Sequence, residues 1–174
     1  MRLLQRCALE KNYSTQLAGQ IGESLIVAEL GRRGIVATAF AGNVPEIDLL
    51  AYKDGTTISL QVKAWRGGSV SFDAKNYLQI EFIERQQNVV GLQKFNDENL
   101  IYVFVKIGEK IGSDRFFILS KRVLANIIFE NYVSFLSKHN GQRPRNYLTT
   151  HCAVGESDLL PFANNWALVE KALV

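Results

Sequence analysis

Cysteine is scarce in this chain. The 174 residues hold two, Cys7 and Cys152, near opposite ends. Neither belongs to a CxxC pair or a Cys/His cluster, which rules out a disulfide framework and argues against a structural zinc site. Two buried or free thiols fit a reducing cytoplasm. Histidine is equally sparse. His139 and His151 have no readable partners, so a histidine-based catalyst is disfavoured. No glycine-rich loop of the Walker type is present, which removes the commonest phosphate cradle. With only three prolines, most elements should run uninterrupted. No stretch approaches the roughly 20 apolar residues of a membrane span. The basic start, Met1 to Cys7, leads into an apolar stretch broken by Gln5, Arg6, Glu10 and Lys11, too short for a signal peptide. The expectation is a soluble cytoplasmic protein with no membrane partner.

What is present reads as globular. Hydrophobic residues make up 47% and charged residues 21%, which excludes a disordered chain. The length suits a single domain over residues 1–174, able to bury a core without staples. A net charge of +3 permits a nucleic-acid partner but does not by itself demonstrate one.

The pattern along the chain predicts an α/β domain, a mixed sheet flanked by helices. Leu17, Ile21, Leu25 and Ala28 repeat at helical spacing, giving a first helix over 15–33. Ser14 or Thr15 would cap it and Gly34 would end it. A β-prone run follows over 35–41, then a turn at Gly42-Asn43. Strands over 46–52 and 57–65 flank the turn Lys53-Asp54-Gly55-Thr56 and should form a hairpin. Shorter strands are expected over 70–72 and 78–82, and the segment 86–99 is ambiguous. The apolar run over 100–107 suits a buried central strand, with 115–119 as its hairpin partner. Ser120 should cap a helix over 121–138. A basic irregular loop over 141–155 and a closing helix over 159–173, with Trp166 packed inward, complete the reading.

The chemistry concentrates in the hairpin. Alternate side chains of a strand share a face. Leu60 and Val62 then point into a core, while Gln61, Lys63 and Trp65 point the other way. Ile47 and Leu49 take the core side of the preceding strand, and Asp48 faces with the polar set. Pairing the strands brings a carboxylate, an amide oxygen and an ammonium to one end of a sheet. Such groups suit phosphodiester hydrolysis. A hard cation such as Mg²⁺ prefers oxygen ligands, and it polarises phosphate and acidifies a bound water. Asp48 and Gln61 offer oxygens, and Lys63 can orient that water or stabilise developing negative charge.

The set Asp48…Gln61-x-Lys63 resembles the PD-(D/E)XK nuclease superfamily, whose restriction-endonuclease-like fold includes Holliday-junction resolvases. Asp48 matches the family's first acidic position, Gln61 its second and Lys63 its lysine. Gly22-Glu23 matches a helical glutamate of resolvase-like branches, so the resemblance adds Glu23 to the metal site. It covers roughly residues 15 to 135, and implies an Mg²⁺-dependent endonuclease (Mn²⁺ as a substitute) acting on DNA, and a homodimer. Two departures stand out. Pro45 is separated from Asp48 by Glu46 and Ile47, and Gln61 replaces the usual Asp or Glu, which removes one negative charge from the site.

The same residues admit plainer accounts. Asp48 can be a hairpin carboxylate paired with Lys63, and Glu23 a helix-surface charge. Trp65 and Arg66 could stack on a base or grip phosphate, and Trp65 could equally be a core residue. Glu46 fits the turn before the strand. Arg32-Arg33 can serve the helix C-terminus through its dipole. Lys138, His139, Arg143 and Arg145 could contact a nucleic-acid backbone, or form a solvated loop. Two rival functions remain open beside the nuclease: a catalytically inactive nucleic-acid-binding relative, and a protein-interaction module.

Overall fold

The computed structural model describes residues 2–40 and 46–174, with side chains from residue 17 onward. Helix α1 spans Arg2–Arg32. It is followed by β1 (Val36–Ala39), β2 (Leu49–Lys53), β3 (Thr56–Trp65), β4 (Val70–Asp73), β5 (Leu78–Ile83), β6 (Gln86–Leu92), β7 (Ile101–Lys106) and β8 (Arg115–Ser120). Helix α2 (Lys121–Lys138), β9 (His151–Val154) and the short helices α3 (Glu156–Leu159) and α4 (Ala167–Ala172) complete the chain. The expected α/β class is observed: a mixed five-stranded sheet in the order β1-β2-β3-β7-β8, flanked by helices.

Two compact units are present. The first comprises Met1–Gly68, Leu100–Leu119 and Phe162–Val174, and the second Ser69–Asn99 and Ser120–Pro161. In the first unit β1, β2 and β3 pair antiparallel, whereas β3 and β7 pair parallel with Gln61 opposite Tyr102 and Lys63 opposite Phe104. A parallel pair needs a long crossover. Residues 69–99 supply it, and they form the first segment of the second unit. There β4 pairs with β9, and β5 with β6.

The hairpin turn follows its residues. Asp54 (φ 48°) and Gly55 (φ 94°) both take positive φ, as a two-residue turn of the primed type requires, and Lys53 pairs with Thr56. Helix α1 stops as Gly34 (φ 70°) permits. The Ile35 N–H donates to Leu30 O at 3.0 Å and the Gly34 N–H to Gly31 O at 3.1 Å, the two bonds of a Schellman end. Ser120 Oγ accepts from the Val123 N–H at 3.3 Å and starts α2 where the sequence places it.

Four expectations change. Helix α1 is helical from Arg2, so Ser14 and Thr15 lie inside it rather than at its start. Its buried stripe is Ala18, Gly22, Ile26 and Leu30, one position on from the predicted Leu17, Ile21 and Leu25 and two from Ala28, and Leu17 is exposed. Small Ala18 and Gly22 carry the stripe because the strand beneath comes close, and a hydrophobic count passes over them. A β-carbon at Gly22 would lie 2.5 Å from that of Ala64. The loop over 141–155 contains β9, a four-residue strand whose inward residues are Cys152 and Val154. The closing helix over 159–173 is broken into α3, a tight turn at Leu160–Phe162 and α4. Pro161 cannot donate within a helix, and Asn164 turns the chain at φ 52°. The segment then pairs with β8: the Asn164 N–H donates to Phe116 O at 2.9 Å, and Asn165 Nδ2 to Ile118 O at 3.2 Å. A sheet edge is thereby covered. Trp166 is buried, as expected.

The first unit's core gathers Ile26 and Leu30 of α1, Leu60 and Val62 of β3, Val103 and Val105 of β7, and Trp166 and Val169 at the C-terminus. Among the described residues no helix is long and apolar enough to cross a membrane. The predicted turn at Gly42-Asn43, Pro45 and the side chain of Cys7 lie outside the described residues.

Candidate active site

Asp48 stands one residue before β2, yet its backbone continues the ladder. The Phe40 N–H donates to Asp48 O at 2.8 Å, and the Asp48 N–H to Leu60 O at 3.0 Å. Leu49 belongs to the core, so Asp48 faces the opposite side, with Gln61. The carboxylate is used at once. Its Oδ2 accepts the Val62 N–H at 2.7 Å and a hydrogen bond from Gln61 Nε2. Gln61 is 7% exposed, so this bond satisfies a buried amide. Asp48 therefore has a structural duty, closing the ladder where β2 begins, and in place of the plainer alternative of an Asp48–Lys63 pair the structure has an Asp48–Gln61 hydrogen bond.

Glu23 approaches from α1. Its neighbour Gly22 packs on Ala64 and Val62 of β3, and that close approach places Glu23 at the helix edge, half-buried. Burial raises its carboxyl above the usual range, and the negative charge of Asp48 raises it further. Glu23 thus senses the charge of Asp48 across the helix–strand contact.

Lys63 lies two residues beyond Gln61 on the same face of β3, beside Phe104 of β7, and is half-buried. It has no hydrogen-bond or ion-pair partner among the described residues. Trp65, next on that face, is 7% exposed and packs against Phe104 and Phe117 at ring-centroid distances of 6.3 and 6.1 Å. Base stacking on it would require this cluster to open, and its buried indole N–H has no acceptor among the described residues. Arg66, just past the strand, is exposed.

Other named residues have structural roles. Glu46 sits in the turn at φ 71°. Arg33 bridges Glu29 and Glu170, each at 3.0 Å, and lies over Trp166, while Arg32 pairs with Glu29 at 3.3 Å. Both arginines thus serve ion pairs at the helix end. His139 follows α2 and packs on Phe135. Burial pushes the Cys152 thiol up to about 11, which makes it inert. His151 does have a partner, Ser71 Oγ at 3.1 Å. The pairing of β4 with β9 that joins them has no sequence signal beyond two short alternations.

Asp48, Glu23 and Gln61 each carry a side-chain oxygen of the kind a hard divalent cation takes. The negative charge of Asp48 bears on Glu23, and a bound cation would relieve that repulsion. Gln61 now turns its N–H toward Asp48, so its oxygen serves a cation only if the amide rotates. No group of three or more His, Cys, Asp or Glu that could hold a metal gathers among the described residues, so the amide would be needed as the third ligand.

The fold has a solved counterpart. It matches the solved structure of a bacterial homing endonuclease, I-Ssp6803I, with a TM-score of 0.51 over 91% of this chain and 94% of that one. Sequence identity is 16%, so the likeness is one of fold. No family model and no curated protein matches the chain.

Proposed function

We propose that the protein is a metal-dependent endonuclease hydrolysing phosphodiester bonds in DNA, on a PD-(D/E)XK-type site. The observation that carries this reading is the joining of Asp48 to Gln61 across β2 and β3, with Glu23 electrostatically coupled to Asp48 from α1. The nuclease-like fold supports it, and so does the agreement of Asp48, Lys63 and Glu23 with the family pattern.

Asp48, Glu23 and Gln61 would hold Mg²⁺ or Mn²⁺. Such an ion supplies Lewis-acid polarisation of the phosphate and a more acidic water. The chain's own part is to position and to balance charge. Asp48 is fixed by its bond from the Val62 backbone, so its remaining oxygen is presented from a rigid strand. Lys63, unpaired among the described residues, is available to orient the attacking water or to stabilise negative charge on the phosphate. Arg66, exposed beyond the strand, can grip a neighbouring phosphate.

The test is cleavage of supercoiled plasmid, linear duplex and RNA with Mg²⁺, Mn²⁺ or chelator. Metal-dependent DNA cleavage is expected, lost in Lys63→Ala without loss of metal binding. A second reading, a binding module without chemistry, is favoured by the Gln61–Asp48 bond, which satisfies the carboxylate without any ion. Salt-dependent DNA binding with no cleavage under any metal would establish that reading instead.

A further inference from the structure

The second unit contains a cationic pocket that this chemistry does not use. It has a volume of about 560 Å³ and is lined by Phe135 of α2 and by Arg143, Arg145, Asn146, Thr149 and His151 ahead of and within β9. Arg143 is held in place. Its guanidinium carbon lies 4.5 Å from the Tyr132 ring centroid and 4.3 Å from that of Phe135, and its Nη2 donates to His151 O at 2.7 Å. Its Nε–H is buried without an acceptor.

The groups around it share one polarity. Asn146 Oδ1 already accepts the Leu148 N–H at 3.0 Å, so its amide N–H₂ is the part left to engage a ligand. Thr149 Oγ1 accepts the His151 N–H at 3.4 Å, and its own hydrogen is available to donate. The nearby carboxylates are already engaged. Asp73 accepts from Thr150 Oγ1 at 2.5 Å and from the Lys75 N–H at 3.1 Å, and Asp158 from Asn131 at 3.0 Å and the Gly155 N–H at 2.8 Å. Neither Arg143 nor Arg145 is in an ion pair among the described residues. A pocket of donors with two uncompensated guanidinium groups selects an anion, and the planar guanidinium fork matches phosphate oxygens. Phe135 and Pro144 add an apolar wall suited to the sugar or base beside that phosphate.

We propose that this pocket binds a phosphate group of a nucleic-acid strand, as a site separate from the hydrolytic residues. The inference rests on the reading of the protein as one that engages nucleic acid. The phosphate is either a backbone diester or a terminal monoester.

The experiment measures binding in chelator, where metal-dependent cleavage plays no part. A short duplex with or without 5′-phosphates is titrated against the wild type and Arg145→Gln over a salt series. Arg143 packs on two aromatic rings and its loss can unfold the unit, so exposed Arg145 carries the test. A severalfold weaker affinity and a salt slope smaller by about 1 are expected in Arg145→Gln. A terminal site makes wild-type affinity depend on the 5′-phosphate and abolishes that dependence in the variant; a backbone site gives the slope change regardless of the ends. Inorganic phosphate, followed by NMR of the His151 ring, is a second probe and should shift its signals. Equal affinity and slope in Arg145→Gln overturn the proposal, and so does a His151 ring unmoved by phosphate. A protein that cuts nothing but loses slope in Arg145→Gln keeps this site and loses the hydrolytic one.

Discussion

The two faces of β3 follow different rules. On one, Leu60, Val62 and Ala64 meet α1 and join the core, and the fit is tight enough that α1 presents Gly22 at the contact. On the other, Gln61, Lys63 and Trp65 run from polar to aromatic within five positions, with Tyr102, Phe104 and Lys106 of β7 beside them. The first face is tightly packed where Gly22 meets Ala64. The second ends in a carboxylate–amide pair in which the Gln61 amide can rotate without moving the backbone. A close-packed face fixes the strand, and the strand fixes the polar groups on its far side.

The sharpest test of this contrast separates the two duties of Asp48. Asp48→Asn keeps an oxygen to accept the Val62 N–H but removes the negative charge. Cleavage should fall about a thousandfold while stability stays near wild type. Asp48→Ala should lose the same activity and, in addition, about 1–3 kcal/mol of stability, because the Val62 N–H is left without its acceptor. Cleavage rates and urea titrations read the two effects, and an Asp48→Asn enzyme as active as wild type would remove Asp48 from the chemistry. On the opposite face, Gly22→Ala should cost about 1–3 kcal/mol through overpacking against Ala64. Adding Ala64→Gly should recover part of that loss. A Gly22→Ala protein as stable as wild type would break the claim that this face is tightly packed.

Those residues also show what a sequence can reveal. The hairpin was readable because Asp54-Gly55 names its own turn and because Leu60 and Val62 alternate with Gln61 and Lys63. Ser120 announced α2 by the same local logic. The α1 stripe was misread by one position, since its contact is made by Ala18 and Gly22, whose value lies in being small. Period-2 alternation placed Trp65 on the right face but could not say whether that face was covered, because Phe104 and Phe117 arrive from distant strands. The proximity of Glu23 to Asp48 was accessible only through family resemblance, as it depends on how deeply α1 settles on β3.

Gln61→Glu tests whether the polar face is tuned for an ion. In the free protein the new carboxylate would meet Asp48 Oδ2 where an N–H now donates. Losing that bond and adding like charge should lower stability by about 1–2 kcal/mol at neutral pH. Mg²⁺ or Mn²⁺ should restore the loss, since the added charge strengthens attraction to a cation. Melting with and without metal, with a calorimetric titration, gives both numbers. Destabilisation that metal does not relieve would show that residue 61 faces Asp48 but no ion.

The smallest effect belongs to Glu23, and its sign is the informative part. Burial and the charge of Asp48 raise its carboxyl above the ordinary glutamate range. The folded protein therefore holds that proton more tightly than the unfolded chain does. Between the ordinary value and the raised one the native state carries the excess proton, so stability falls as pH rises through that window and levels off above it. Glu23→Gln removes this loss. The variant should be more stable than wild type at neutral pH, by only a few tenths of a kcal/mol, because the group is partly exposed and its interaction is screened. The advantage should vanish below the ordinary glutamate range, where the wild-type carboxyl is protonated in both states. Metal should reverse the order. A cation held by Glu23 must displace its proton, so wild-type affinity for Mn²⁺ should climb with pH through the same window, and that of Glu23→Gln should climb less. Urea titrations across pH, with and without Mn²⁺, measure both trends. A Glu23→Gln protein that is more stable at neutral pH but has the metal affinity and pH dependence of wild type would place Glu23 near Asp48 yet outside any metal site, leaving Asp48 and Gln61 as the only protein ligands of the proposed centre.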